Sequence, residues 1–207
     1  ILRDDLEEEE KKLGVDHPDT LRSVNNLGLL LKAQGKLEEA EVLYRRALEG
    51  RERVLGVDHP KTLTFVNNLG SLLQKQGKLE EAEVLYRRAL EGYERVLGVD
   101  HPNTLTSVNN LGSLLQDQGK LEEAEVLSRR ALEGRERVLG VDHRSTLNAR
   151  GNLGLLLMKR GDDESGEGMV RDVLSSLLSP PHSLTETHPW IKKFRNVLEL
   201  CEVVALL

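Results

Sequence analysis

Leu55-Gly56-Val57-Asp58-His59-Pro60 also occurs as Leu13 to Pro18 and as Leu97 to Pro102, and it returns with arginine in place of proline as Leu139 to Arg144. Each step is 42 residues, and a fixed period of this size marks a repeat architecture. Residues 13–54 and 55–96 differ at seven of 42 positions, and residues 97–138 differ from the second copy at five. Such near-identity implies recent duplication or deliberate consensus design. The motif itself is punctuation. Glycine ends one helix where a left-handed residue is wanted, Asp or His caps the next, and proline fits the first turn, where its missing N–H costs nothing.

Between two copies of the motif lie two amphipathic patterns. From Thr20 to Gln34, Leu21, Val24, Leu27, Gly28 and Leu31 fall at helical spacing, and Gly35 follows as a cap. From Leu37 to Val54, Ala40, Leu43, Tyr44, Ala47 and Leu48 recur every three or four residues, with Glu41–Arg45 and Glu49–Arg53 set for i,i+4 pairs on the outer side. Each unit is therefore an antiparallel helical hairpin, and the fold class is all-α. The series Tyr44, Tyr86 and Ser128 predicts a looser third unit, since serine there replaces a packing ring.

These residues resemble the tetratricopeptide repeat. The matching pattern is Val24, Leu27-Gly28, Leu31, Gly35, Ala40, Tyr44 and Ala47, repeated as Val66, Leu69-Gly70, Leu73, Gly77, Ala82, Tyr86 and Ala89. The eight residues beyond the usual 34, typified by Leu55 to Thr62, together with Asn-Asn-Leu-Gly and Leu-Tyr-Arg-Arg-Ala-Leu, resemble the kinesin light chain variety. The resemblance implies a right-handed α-solenoid whose first helices line a concave groove, and it implies scaffold or adaptor work.

The expected layout is residues 1–12 as the second helix of a preceding, truncated repeat, then repeat 1 at 13–54, repeat 2 at 55–96, repeat 3 at 97–138, divergent repeat 4 at 139–180, and a loop with a C-terminal capping helix at 181–207, all in one solenoid domain. Leu6 aligns with Leu48, so an array continuing upstream is expected. In repeat 4, Arg150 stands where Val24 does, and the glycine-rich run Gly161 to Gly168 predicts a frayed or distorted second-helix start. Trp190, Phe194, Val197, Leu198 and Cys201 read as a final helix covering the end of the core, with Cys201 as a buried thiol.

Composition sets bounds on function. The 207 residues carry 29 Lys plus Arg against 35 Asp plus Glu, a net charge of -6, which disfavours duplex nucleic acid as partner. Aromatic residues make up 3%, too few for most sheets, and one cysteine cannot form an internal disulfide. No apolar run approaches the roughly 18 residues of a membrane span, so direct membrane insertion is not expected. The default compartment is the cytoplasm, with an organellar one left open.

Function is sought on the face of each first helix that does not pack. With Leu21 as position one, positions two, six, nine and thirteen form one stripe. It reads Arg22, Asn26, Leu29 and Ala33, then Thr64, Asn68, Ser71 and Lys75, then Thr106, Asn110, Ser113 and Asp117, then Asn148, Asn152, Leu155 and Lys159, and position twelve flanks it with Lys32, Gln74, Gln116 and Met158. Among the first three units only eight positions vary, and four of them are groove positions two, nine, twelve and thirteen. The asparagine at position six stays fixed as Asn26, Asn68, Asn110 and Asn152. An amide both donates and accepts, so a ladder of amides can hold the backbone of an extended peptide. In proteins of the resembled kind such a ladder grips the peptide backbone. Asn25, Asn67 and Asn109 form a neighbouring row that Gly151 breaks. The charges Arg22, Lys32, Lys75 and Lys159 against Asp117 favour an acidic or neutral segment.

Other signals are weaker. His17, His59, His101, His143 and His188 recur one per unit, which suits capping and not convergence on one ion, so no metal is expected. Asp162 to Gly168 fails the calcium-loop pattern, because Leu174 falls where the bidentate Glu belongs. No nucleophile is set uniquely beside a base, so neither catalysis nor a cofactor is expected. The chain reads as a non-catalytic scaffold or adaptor binding a peptide or protein segment in its groove. The alternative is a fixed subunit of a larger complex that docks by its convex face or ends.

Overall fold

The computed structural model describes residues 2–205, and the side chains of residues 5–199. Within that range the chain is a succession of helices. They are α1 (Leu2–Leu13), α2 (Pro18–Ala33), α3 (Leu37–Leu55), α4 (Pro60–Lys75), α5 (Leu79–Leu97), α6 (Pro102–Asp117), α7 (Leu121–Leu139), α8 (Arg144–Arg160), α9 (Asp163–Leu178) and α10 (Pro189–Ala205). The chain divides into two compact units, residues 1–114 and 115–207, with the division inside α6.

The repeated motif works as the sequence predicts, and the cap is the histidine. Nδ1 of His17, His59, His101, His143 and His188 accepts the backbone N–H two residues on, at 3.1 to 3.2 Å. Each ring thereby satisfies one of the otherwise orphaned donors of the first turn. Gly56, at φ 87°, ends α3 in a conformation that side chains disfavour.

In the first unit, α2 packs on α3, α3 on α4 and α4 on α5. Leu21, Val24, Ala40, Tyr44 and Ala47 are buried, as are Leu63, Val66, Ala82, Tyr86 and Ala89 one repeat later. A Cβ on Gly28 would stand 2.9 Å from the Tyr44 ring, so this glycine makes room for the ring itself. Burial pushes the Tyr44 phenol up to about 12. On α1, Leu6 is buried at the place that Leu48 takes on α3.

Ion pairs tie α1 to α3 and α3 to α5. Arg46 reaches Glu10 at 2.6 Å and Arg88 reaches Glu52 at 2.5 Å. The Glu41–Arg45 pair forms at 2.7 Å as expected. The expected Glu49–Arg53 pair is replaced: Arg53 turns to Asp16 of the connecting motif at 2.7 Å, and Arg95 turns to Asp58 at 2.6 Å. A connection that folds back alongside the second helix places a carboxylate nearer than the one a turn away.

In the second unit, α8 packs on α9, and α10 packs on both. The distorted start expected for α9 is not found. Gly161 closes α8 in the left-handed region, and the Asp162 carboxylate caps α9 by accepting the Ser165 N–H. Gly166 lets two helices touch, because a Cβ there would lie 2.6 Å from the Gly154 carbonyl oxygen. Arg150, in the place of a core valine, is half-buried and pairs with Glu136 at 2.7 Å. Ile191, Phe194 and Leu198 of α10 join Leu147, Val170, Val173 and Leu177 in one core. The side chain of Cys201 lies outside the described residues.

Candidate functional site

The first helices α2, α4 and α6 present the predicted stripe. Arg22 and Asn26 are exposed, Asn68 and Asn110 half-buried, and Leu29 is 44% exposed. Arg22 pairs with Asp19 at 3.0 Å. Lys32 Nζ donates to Ser71 Oγ at 2.6 Å, and Lys75 Nζ donates to the Lys32 carbonyl at 3.2 Å. Burial lowers the Lys32 ammonium, and the neighbouring Lys75 lowers it further.

The two asparagine rows differ in what they touch. Asn25 is buried, and its Oδ1 accepts from Asn68 Nδ2 at 3.0 Å. Asn67 Nδ2 donates to Ser107 Oγ at 2.7 Å, while its Oδ1 is buried with no partner. Asn109 is half-buried. Asn26 and Asn110 make no side-chain hydrogen bond among the described residues. Thr64, Asn67, Asn68, Ser71, Tyr93, Asn103 and Asn110 are among the residues that border a cavity of about 220 Å³ on this face.

Second helices contribute to the site as well, a role that the sequence reading did not assign. Arg51 of α3 runs under α2 to donate to the Pro18 carbonyl at 2.6 Å, with its guanidinium 5.1 Å from the Phe65 ring centroid. Burial lowers Arg51, with Arg22 adding to the effect. Tyr93 of α5 does the same work one repeat later. Its hydroxyl donates to the Pro60 carbonyl at 3.2 Å and shares a hydrogen bond with Thr64 Oγ1 at 2.9 Å. Burial raises the Tyr93 phenol, against the pull of that Thr64 bond. The signal was present in the sequence: position 51 continues the inward stripe of Tyr44, Ala47 and Leu48.

In the second unit, Lys159 Nζ donates to the Gln116 carbonyl at 3.2 Å, and Asp117 is exposed. Asn152 Oδ1 accepts from Lys193 of α10 at 2.7 Å. Gly151 is where the Phe194 ring sits, so the break in the second asparagine row makes room for the terminal helix. Among the described residues no three His, Cys, Asp or Glu side chains converge as a metal site would require, and no helix is long and apolar enough to cross a membrane.

A tetratricopeptide repeat family model matches residues 61–134 and 105–175, and a second matches residues 20–61. The chain belongs to the tetratricopeptide repeat family. Among solved structures it is similar to BtubC (BKLC) from P. vanneervenii, at 25% identity over 87% of this chain and 71% of that one, with a TM-score of 0.72. It is also similar to a Podosopora anserina kinesin light chain-type protein with nearly identical TPR-like repeats, at 23% identity over 86% of this chain and 84% of that one, with a TM-score of 0.73. A variant form of the latter gives 22% identity and a TM-score of 0.75. The fold is thus the α-solenoid of kinesin light chain-like repeats. No curated protein matches the chain. Tetratricopeptide repeats mediate protein–protein interactions, and proteins of the family are typically scaffolds without catalytic activity.

Proposed function

We propose that this chain is a non-catalytic scaffold or adaptor that holds an extended peptide or protein segment along the face of its first helices. The observation that carries this reading is where the near-identical copies differ. Of the eight positions that vary among repeats 1 to 3, seven are occupied by residues on this face or directly beneath it: those of Asp19, Arg22, Ser23, Leu29, Lys32, Ala33 and Arg51. The eighth, that of Tyr44, is in the core. A surface that drifted for lack of constraint would vary as freely on the outer side of the second helices, where Glu38, Glu39, Arg45 and Arg46 are copied unchanged.

Asn26, Asn68 and Asn110 of the first unit hold the ligand backbone in this reading, with Asn25, Asn67 and Asn109 supporting them, and Asn152 is the corresponding group of the second unit. Arg22, Lys32, Lys75, Asp117 and Lys159 set the charge preference. First helices roughly 10 Å apart would accommodate an extended segment of about ten residues at roughly 3.3 Å each. A net charge of -6 disfavours duplex nucleic acid as the partner. The test is affinity purification from native extract with the fourfold Asn to Ala variant alongside. Selective loss of partners from the variant supports the reading, and equal recovery refutes it.

A second reading, a fixed subunit docking by its outer surface, is favoured by Val42 and Val84. These are 68% and 67% exposed at equivalent places on α3 and α5. Stoichiometric copurification lost on Val42→Glu and Val84→Glu, and kept in the asparagine variant, would favour it.

A further inference from the structure

Two of the varying positions meet beneath the first-helix face, and their pairing changes between one junction and the next. Where α2 meets α4, Arg51 lies against the buried Phe65 ring, and Asn25 is engaged by Asn68. Where α4 meets α6, Tyr93 takes the place of Arg51 and Ser107 takes the place of Phe65. A hydroxyl replaces the ring, and Asn67, the counterpart of Asn25, donates to it at 2.7 Å.

That exchange leaves hydrogen-bonding capacity unspent. The side chain of Asn110, the counterpart of Asn68, makes no hydrogen bond among the described residues, and Asn67 Oδ1 is buried without a partner. Asn67 and Asn110 are among the residues that border the cavity of about 220 Å³, roomy enough for one side chain when a water takes about 30 Å³. Its polar lining is amides and hydroxyls, with the Lys32 ammonium at the edge on Ser71 Oγ at 2.6 Å. A carboxylate guest would bring no proton for Asn67 Oδ1, a cationic guest would meet the Lys32 charge, and an apolar guest would leave that oxygen unpaired. A carboxamide supplies an N–H for Asn67 Oδ1 and a carbonyl for Asn110 Nδ2.

Resting on the groove reading above, we propose that the cavity between α4 and α6 is a specificity pocket for an asparagine or glutamine side chain of the bound segment, opened by serine at position 107. With phenylalanine at 107, Asn67 loses its partner and accepts from Asn110 instead, as Asn25 does from Asn68, and the pocket closes.

The test is a positional-scanning library of acetylated, amidated decapeptides panned on the full chain, on Ser107→Phe, and on the double variant Tyr93→Arg/Ser107→Phe. The double variant reproduces the residue pair of the preceding junction, and circular dichroism checks its fold. The wild-type chain is expected to prefer Asn or Gln over Leu and Glu at one peptide position by about tenfold. Both variants are expected to retain library peptides with that preference reduced below about twofold. An amide preference undiminished in the double variant overturns the pocket, as does peptide binding by the wild-type chain with no amide preference, and either result leaves the groove reading standing. Retention of no peptide by any of the three chains overturns the groove reading and the pocket together.

Discussion

Asn68 donates from Nδ2 to Asn25 Oδ1 at 3.0 Å, so one member of the Asn26 row is tied to a member of the Asn25 row. Adjacent asparagines in the sequence therefore have different duties. Asn25→Ala removes a buried acceptor and is expected to lower stability by about 1 kcal/mol, whereas Asn26→Ala, at an exposed side chain, should change it by less than about 0.5 kcal/mol. Denaturation midpoints of the two variants check this.

Gly166 and Gly168 lie two residues apart on α9, and alanine at each should act in opposite directions. At Gly166 a Cβ meets backbone, the Gly154 oxygen at 2.6 Å and the Met158 nitrogen at 2.9 Å. Gly166→Ala is expected to cost about 2 kcal/mol or more, because backbone cannot turn aside. At Gly168 nothing lies within 4 Å, and Gly168→Ala should add about 1 kcal/mol by helix propensity alone. Thermal melting distinguishes the two signs.

The histidine caps predict a pattern of rescue. His59→Ala leaves the Lys61 N–H without its acceptor and should cost about 1 kcal/mol. His59→Asn supplies an acceptor at the same place and should recover most of that loss. A melting temperature equally low in both variants would show that the ring acts by packing instead.

Glu41 gives the acid response a sign. Burial disfavours its carboxylate, but hydrogen bonds from Lys78 at 2.8 Å, Arg45 at 2.7 Å and Gln76 at 2.9 Å outweigh that and hold the group down at about 2. A value depressed from the ordinary 4.5 contributes stability above pH 4.5 that is lost as pH falls toward 2. Glu41→Gln should cost about 1–2 kcal/mol at neutral pH, allowing for solvent screening, and nothing near pH 2. Denaturation at both pH values measures the difference.

Much of this could be read in the residues because the repeat supplies its own controls. Leu55 to Pro60, copied along the chain with arginine for proline in the fourth copy, marks the start of each repeat, and the stripe from Tyr44 to Leu48 marks the buried side of a second helix. Contacts that depend on tertiary approach were hidden. Whether Arg53 pairs with Glu49 or Asp16 is decided by how the connecting motif lies against α3, which periodicity does not encode. Gly151 read as a broken row until Phe194, 43 residues later, took up the space. Arg51 and Tyr93 sit on the inward stripe, yet only the packed hairpin shows that they reach through to the opposite face.

The central claim is that the ligand lies on the first-helix face, and site-specific photo-crosslinking tests it most directly. A photoreactive phenylalanine analogue at Ser71 on α4, or at Val84 on α5, would be irradiated in native extract and the crosslinked partner identified by mass spectrometry. Crosslinks from position 71 that disappear in the fourfold asparagine variant, with none from position 84, are the predicted result. A partner captured from position 84 alone would contradict the account and place the interaction on the outer surface.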